Sequence, residues 1–153
     1  MLWGFCATAV LTTCLAASQG LGLSRISMPL ILGAALTADR RRANVYGFVL
    51  HLLNGWLFAL FYALVFESLH RATWWLGATL GLAQSLFILA AAMPMLPYVH
   101  RRMASEDHGP NPTSQLEPPG FLALNYGRLT PIATVLAHLL YGAILGAFYT
   151  LSA

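Results

Sequence analysis

The sequence predicts an all-α, polytopic membrane protein: four transmembrane helices arranged as a duplicated helical hairpin. Three observations predict it. Hydrophobic residues make up 58% of the 153 residues and charged residues only 8%, against about a quarter charged in a soluble domain. The charges are also clustered, so that 1–24, 43–66, 72–99 and 129–153 hold no Asp, Glu, Lys or Arg. Each stretch is long enough for the ~20-residue helix that crosses a hydrocarbon core of about 30 Å. None keeps the charged face that a soluble core helix turns to water. Finally, the second and fourth stretches carry the same pattern at the same spacing.

The spans are expected at 3–22, 45–66, 73–95 and 130–151 of one transmembrane domain, with repeat units at 1–70 and 73–153. In the first span, Ala9, Thr13 and Ala17 form a small-residue seam. Its two cysteines, Cys6 and Cys14, are eight residues apart. That is about 12 Å along a helix, too far for a disulfide, so both are expected as buried thiols. Met1-Leu2-Trp3-Gly4 has no positive region and does not read as a signal peptide. Cys14 is not read as a lipidation site, because Thr13 stands where a small Ala or Gly is wanted.

Between the first two spans, Ser27–Leu36 is apolar but too short to cross. It reads, like Pro119–Tyr126 further on, as a half-helix or interfacial segment under the bundle. The Arg40-Arg41-Arg42 triplet reads as a topology determinant that also attracts anionic lipid head groups, at about 1 kcal/mol per residue. At the far end of the second span, Glu67 and Arg71 have the spacing of an i, i+4 ion pair. Pro94 and Pro97 are expected to close the third span. The polar, Pro-rich stretch 101–118 reads as a flexible cytoplasmic loop. In the third loop, His100, Glu106, Asp107 and His108 match no metal-ligand spacing. Pro119–Tyr126 is a second short apolar segment, and Thr130 and Pro131 are expected as N-cap and first residue of the fourth span.

All eight basic residues are Arg. Seven of them, Arg25, Arg40, Arg41, Arg42, Arg101, Arg102 and Arg128, fall in the first and third loops, and only Arg71 in the second. The positive-inside rule therefore places loops 1 and 3 in the cytoplasm and both termini outside. Trp3, Trp74 and Trp75 mark one interface, and Tyr46, Tyr98 and Tyr126 the other. Nucleic-acid binding is not expected, because no basic domain exists to carry it.

The repeat is the most informative feature. Span 2 reads His51-Leu52-Leu53-Asn54-Gly55 with Phe61-Tyr62, and span 4 reads His138-Leu139-Leu140-Tyr141-Gly142 with Phe148-Tyr149. Each unit holds an even number of spans, so both copies insert the same way up. The expected pseudo-two-fold axis runs along the membrane normal. At 100° per residue, His51, Gly55 and Tyr62 share one stripe, as do His138, Gly142 and Tyr149. The stripes also carry small residues for helix packing: Gly55 with Ala59, and Gly142 with Gly146, with Gly77 and Gly81 on span 3.

Taken together, Met28-Pro29 with Leu32-Gly33, His51 and Gly55 with Phe58-Ala59-Leu60, Tyr62-Ala63 and Phe66-Glu67, and His138, Tyr141-Gly142, Leu145-Gly146 and Tyr149 form a pattern. It resembles the YagU-like group of small bacterial inner-membrane proteins, over most of the chain outside 101–118. The resemblance implies a four-helix membrane fold in a bacterial inner (cytoplasmic) membrane. It implies no activity.

His51 and His138 are the leading candidates for a ligand site or polar path, because a polar side chain inside a bilayer needs a partner or a function. Two histidines at matched depth could ligate haem b as axial ligands, bind a transition metal, relay protons, or simply hydrogen-bond within the bundle. Asn54, Gln84, Tyr62 and Tyr149 are the accompanying polar groups. No phosphate loop, nucleophile elbow, H-E-x-x-H or paired-carboxylate motif is present, so no enzyme is expected. The expected function is that of a non-enzymatic accessory or structural subunit of a larger membrane complex or homo-oligomer, without cofactor. The alternatives are a small transporter or permeation unit with a polar path near His51 and His138, and a haem-binding electron-transfer protein.

Overall fold

A computed structural model describes residues 2–105 and 116–152. Among them every regular element is helical, apart from one isolated bridge between Met103 and Leu116. Four helices are long and apolar enough to cross a membrane: Leu2–Gly20, Arg40–Ser68, Trp74–Val99 and Thr130–Phe148. The chain thus reads as a multi-pass helical membrane protein. We label the elements α1 (Leu2–Gly20), α2 (Met28–Ala34), α3 (Arg40–Ser68), α4 (Trp74–Phe87), α5 (Met93–Val99) and α6 (Thr130–Phe148).

The first short apolar segment is the half-helix α2. Ser27 caps it through its hydroxyl on Leu30 N–H, and Pro29 fills an N-terminal position where no donor is needed. Two glycines let α2 lie against α3. A Cβ on Gly33 would sit 1.7 Å from the Ala43 carbonyl oxygen, and one on Gly47 1.6 Å from that of Pro29. The second short segment is a 3-10 stretch, Phe121–Tyr126. It is not a half-helix, because Leu122 and Ala123 turn left-handed at φ 54° and 57°.

Helix α3 begins earlier than the charge pattern predicts. Arg40, Arg41 and Arg42 form its first turn, capped by Asp39 Oδ1 on Arg42 N–H at 2.8 Å. The anionic cap offsets three cations at the positive end of the helix dipole. At 29 residues the helix is about 44 Å long, which covers the head-group layers as well as the core.

The third span does not end at its prolines. A π turn, Ile88–Ala92, joins α4 to α5 directly before Pro94. Its wider turn relaxes the i−4 geometry that the Pro94 ring would otherwise clash with, and the helix runs on past Pro97 to Val99. Thr130 likewise departs from expectation. Leu129 occupies the cap position, and the Thr130 hydroxyl meets Ser24 Oγ at 2.8 Å across the bundle.

Laterally the spans run α3, α1, α6, α4, with little backbone approach between α3 and α4. Two antiparallel seams hold the pairs. In the α1–α3 seam, Gly4 faces Ala59, Gly55 faces Thr8, and Thr12 Oγ1 meets His51 Nδ1 at 3.1 Å. In the α4–α6 seam, Gly146 faces Thr73, Gly77 faces Gly142, and Gly81 faces His138. The α1 seam is therefore Gly4, Thr8 and Thr12. The alternative Ala9, Thr13 and Ala17 face is exposed. Cys6 is exposed and Cys14 half-buried, so neither is the fully buried thiol expected.

One end of the bundle is tied by long-range polar contacts. His100 Nε2 donates to Ile31 O at 2.9 Å, and Arg102 Nη1 to Ala34 O at 2.6 Å, at the C-terminal carbonyls of α2. Arg25 pairs with Glu117 at 3.2 Å, and its guanidinium also donates to Asn125 O. Residues 101–105 and 116–118, read from the sequence as part of a flexible loop, are thereby held against the bundle. Glu106, Asp107 and His108 lie outside the described residues. Arg101 is exposed.

At the opposite end Glu67 does not pair with Arg71. Its carboxylate accepts from Tyr149 Oη (2.8 Å), Ser152 N (2.9 Å) and Ser152 Oγ (2.8 Å). Arg71 instead lies 5.5 Å from the Trp75 ring. Three hydrogen bonds, one from a backbone amide, hold the carboxylate better than one exposed ion pair.

Candidate functional site

The weak α3–α4 approach leaves a cavity of about 230 Å³ inside the bundle. His51, Asn54 and Gly55 of α3 line it, with Gln84 of α4, His138 and Tyr141 of α6, and Met28 and Met93. Asn54, Phe58 and Phe87 on its wall are exposed, so it opens sideways, toward the surrounding lipid. Deeper in lies a smaller cavity of about 40 Å³. Met28, His51, Met93, Thr134 and His138 line it, among apolar neighbours.

The histidines sit at equivalent seam positions, one opposite Thr12 and the other opposite Gly81. Their hydrogen bonds assign their tautomers. His138 Nδ1 is 2.8 Å from Thr134 O; a carbonyl only accepts, so Nδ1 carries the proton. Thr12 Oγ1 gives its one hydrogen to Thr8 O at 2.7 Å, so it accepts from His51 Nδ1. In both neutral rings Nε2 is then the lone-pair nitrogen, with no hydrogen-bond partner among the described residues. The two rings that share a cavity are thus both presented as acceptors or ligands.

The other sequence candidates divide. Tyr62 is buried and donates to Gln84 Oε1 at 2.7 Å, which bridges α3 to α4 beside the cavity. Gln84 also lines the cavity. Tyr149 points away, to Glu67. Asn54 lines the cavity, and its side chain has no hydrogen-bond partner among the described residues. Gly55, Ala59, Gly77, Gly81, Gly142 and Gly146 form the two seams and serve packing.

Three cavity-lining neighbours were not singled out as site residues from the sequence. Tyr141 stacks edge-on against Tyr62 at 5.6 Å and donates to Gly55 O. It occupies the repeat position of Asn54 and falls within the YagU-like pattern, but neither marked it as a site residue. Met28 and Met93 reach both cavities. Their shared Met-Pro dipeptide was visible, but thioethers in an apolar chain read as filler.

Among the described residues no three His, Cys, Asp or Glu side chains come together as a metal-binding group. Thr134 Oγ1 is buried without a hydrogen-bond partner, on the wall of the smaller cavity. Comparison with protein-family models, with curated proteins and with solved structures gives no match for this chain.

Proposed function

We propose that this chain is a non-enzymatic membrane permeation unit that takes a small solute or ion between α3 and α4, with His51 and His138 as its intramembrane binding groups. One observation carries the reading: two histidines, far apart in sequence, line one cavity, and neither ring's Nε2 has a hydrogen-bond partner among the described residues. Uncompensated polar groups at membrane depth are costly. A bundle built only for packing would satisfy them internally, as it satisfies the buried Tyr62 and Tyr141.

The duplicated hairpin belongs to the same proposal. Its support is the correspondence of the two seams, in which His51, Gly55 and Ala59 take the positions that His138, Gly142 and Gly146 take in the other. The orientation proposed is loops 1 and 3 in the cytoplasm and both termini outside, in a bacterial inner membrane, as the YagU-like resemblance implies. The clasp of loops 1 and 3 at one end, through Arg25 and Glu117, supports a common side. A cavity of about 230 Å³ lies below the 300–1,000 Å³ usual for drug-sized ligands and cofactors. It favours an ion or very small solute over a haem.

The test is flux of protons and of mono- and divalent cations into proteoliposomes, for the native chain and a His51→Leu/His138→Leu variant. Flux above empty vesicles, reduced at least tenfold in the variant, is the expected result. Vesicles no leakier than empty ones, or equal flux in both proteins, overturn it. A larger subunit that co-purifies in fixed ratio with a flux-inactive chain would make this an accessory subunit instead.

A further inference from the structure

We infer that the ligand of this site is a soft monovalent metal cation, of the chemistry of Cu(I) or Ag(I), held by His51 and His138 Nε2 and the thioethers of Met28 and Met93. The inference rests on the reading of the cavity as a binding site and names what binds there.

The donor set selects the ion. The smaller cavity is lined by two histidines, two methionines and one threonine, among apolar residues. Among the described residues no Asp or Glu lines it. Sodium, potassium, magnesium and calcium prefer oxygen ligands, whereas thioether sulfur and imidazole nitrogen suit Cu(I). All these ligands are neutral. A divalent ion would bring two uncompensated charges into a low-dielectric interior, and a monovalent one brings a single charge. Zinc sites of this size normally recruit anionic thiolate or carboxylate, and neither is present on this wall.

The space and the second shell also fit. About 40 Å³ exceeds the roughly 10–15 Å³ that one water-sized occupant needs. Each histidine already spends its Nδ1–H on an oxygen, Thr134 O or Thr12 Oγ1. Metal-ligating histidines use the second nitrogen in this way to set tautomer and ring orientation. Met93 is nearly buried, at 3% exposure, and directly follows the π turn. Such turns recur at functional sites because they re-aim the side chains beside them. Thr134, on the same wall, has a buried hydroxyl with no hydrogen-bond partner among the described residues.

The experiment uses the full chain in lipid nanodiscs, with Cys6→Ala and Cys14→Ala to remove competing thiols. Silver nitrate is titrated by calorimetry, and Cu(I) is bound anaerobically for X-ray absorption. One ion per chain with mixed nitrogen and sulfur scatterers is expected. Met28→Leu and Met93→Leu, which keep volume and hydrophobicity, should each weaken Ag(I) at least tenfold without loss of helicity. Zinc and sodium should not compete. No bound silver, as for a cavity holding only water, overturns the inference. So does binding that the Met28→Leu/Met93→Leu pair leaves unchanged. If silver fails to bind while other cation flux still depends on the histidines, this inference falls and the permeation reading stands. If silver binds as described but nothing crosses the bilayer, the metal site stands and the permeation reading falls.

Discussion

Gly77 and Gly142 lie back to back: a Cβ built on either would come within 2.0 Å of the other's carbonyl oxygen. No rotamer change relieves a clash with backbone, so α4 and α6 must separate. Gly142→Ala is expected to destabilise the bundle by about 2–3 kcal/mol, the upper part of the overpacking range. Gly20→Ala, with nothing within 4 Å of its added carbon, should stay within about 0.5 kcal/mol of the native chain. Reversible unfolding in mixed micelles measures both.

Thr134 gives the opposite sign. Its buried hydroxyl has no partner, and an unsatisfied buried polar atom costs about 1–3 kcal/mol. Thr134→Val keeps the shape and the backbone carbonyl that orients His138. It should stabilise the empty protein by about 1 kcal/mol in the same unfolding assay.

Glu67 clamps the segment that follows α6. Its three acceptor contacts all go to Tyr149 and Ser152. Glu67→Ala should release 149–152 to fast amide exchange and leave the α4–α6 seam protected. Hydrogen-exchange mass spectrometry reads this directly. Equal protection in both proteins would show the clamp to be idle.

Arg102 terminates α2 by donating to Ala34 and Ala35 carbonyls. A charged donor on otherwise unpaired carbonyls is worth about 1.5–3 kcal/mol. Arg102→Gln should therefore raise exchange across 28–36. Because α2 carries Met28 to the cavity wall, metal affinity should drop with it, although Arg102 touches no ligand.

Tyr126 provides the pH dependence. Burial, reinforced by Glu117 and opposed by Arg25, pushes its phenol up to about 12, while its hydroxyl donates to Glu117 O at 2.6 Å. The folded value lies above the ordinary tyrosine value of about 10. The stability this group contributes is then complete below pH 10 and is lost as pH rises toward 12. Native protein should loosen at its loop end over that window, and Tyr126→Phe should flatten the dependence. Phenolate absorbance with parallel circular dichroism follows both.

Much of this was legible in the sequence, for a reason that also sets the limit. Crossing a bilayer is a local requirement, satisfied by about 20 consecutive apolar residues. The spans and the half-helix within Ser27–Leu36 could therefore be read from consecutive residues. So could the two matching stripes, because His51 with Gly55 and His138 with Gly142 are related by spacing alone. The seam glycines were legible for the same reason. Which faces meet was not, because helices apolar on every side carry no amphipathic signal to orient them. Only tertiary packing chose Gly4, Thr8 and Thr12 over Ala9, Thr13 and Ala17. It turned Glu67 to Ser152 in place of Arg71, and anchored α2 on His100 and Arg102 from 67 to 69 residues away. It also left α3 and α4 apart, so that Met28 and Met93 line one cavity with the two histidines. Those contacts join residues distant along the chain, and only folding brings them within bonding range.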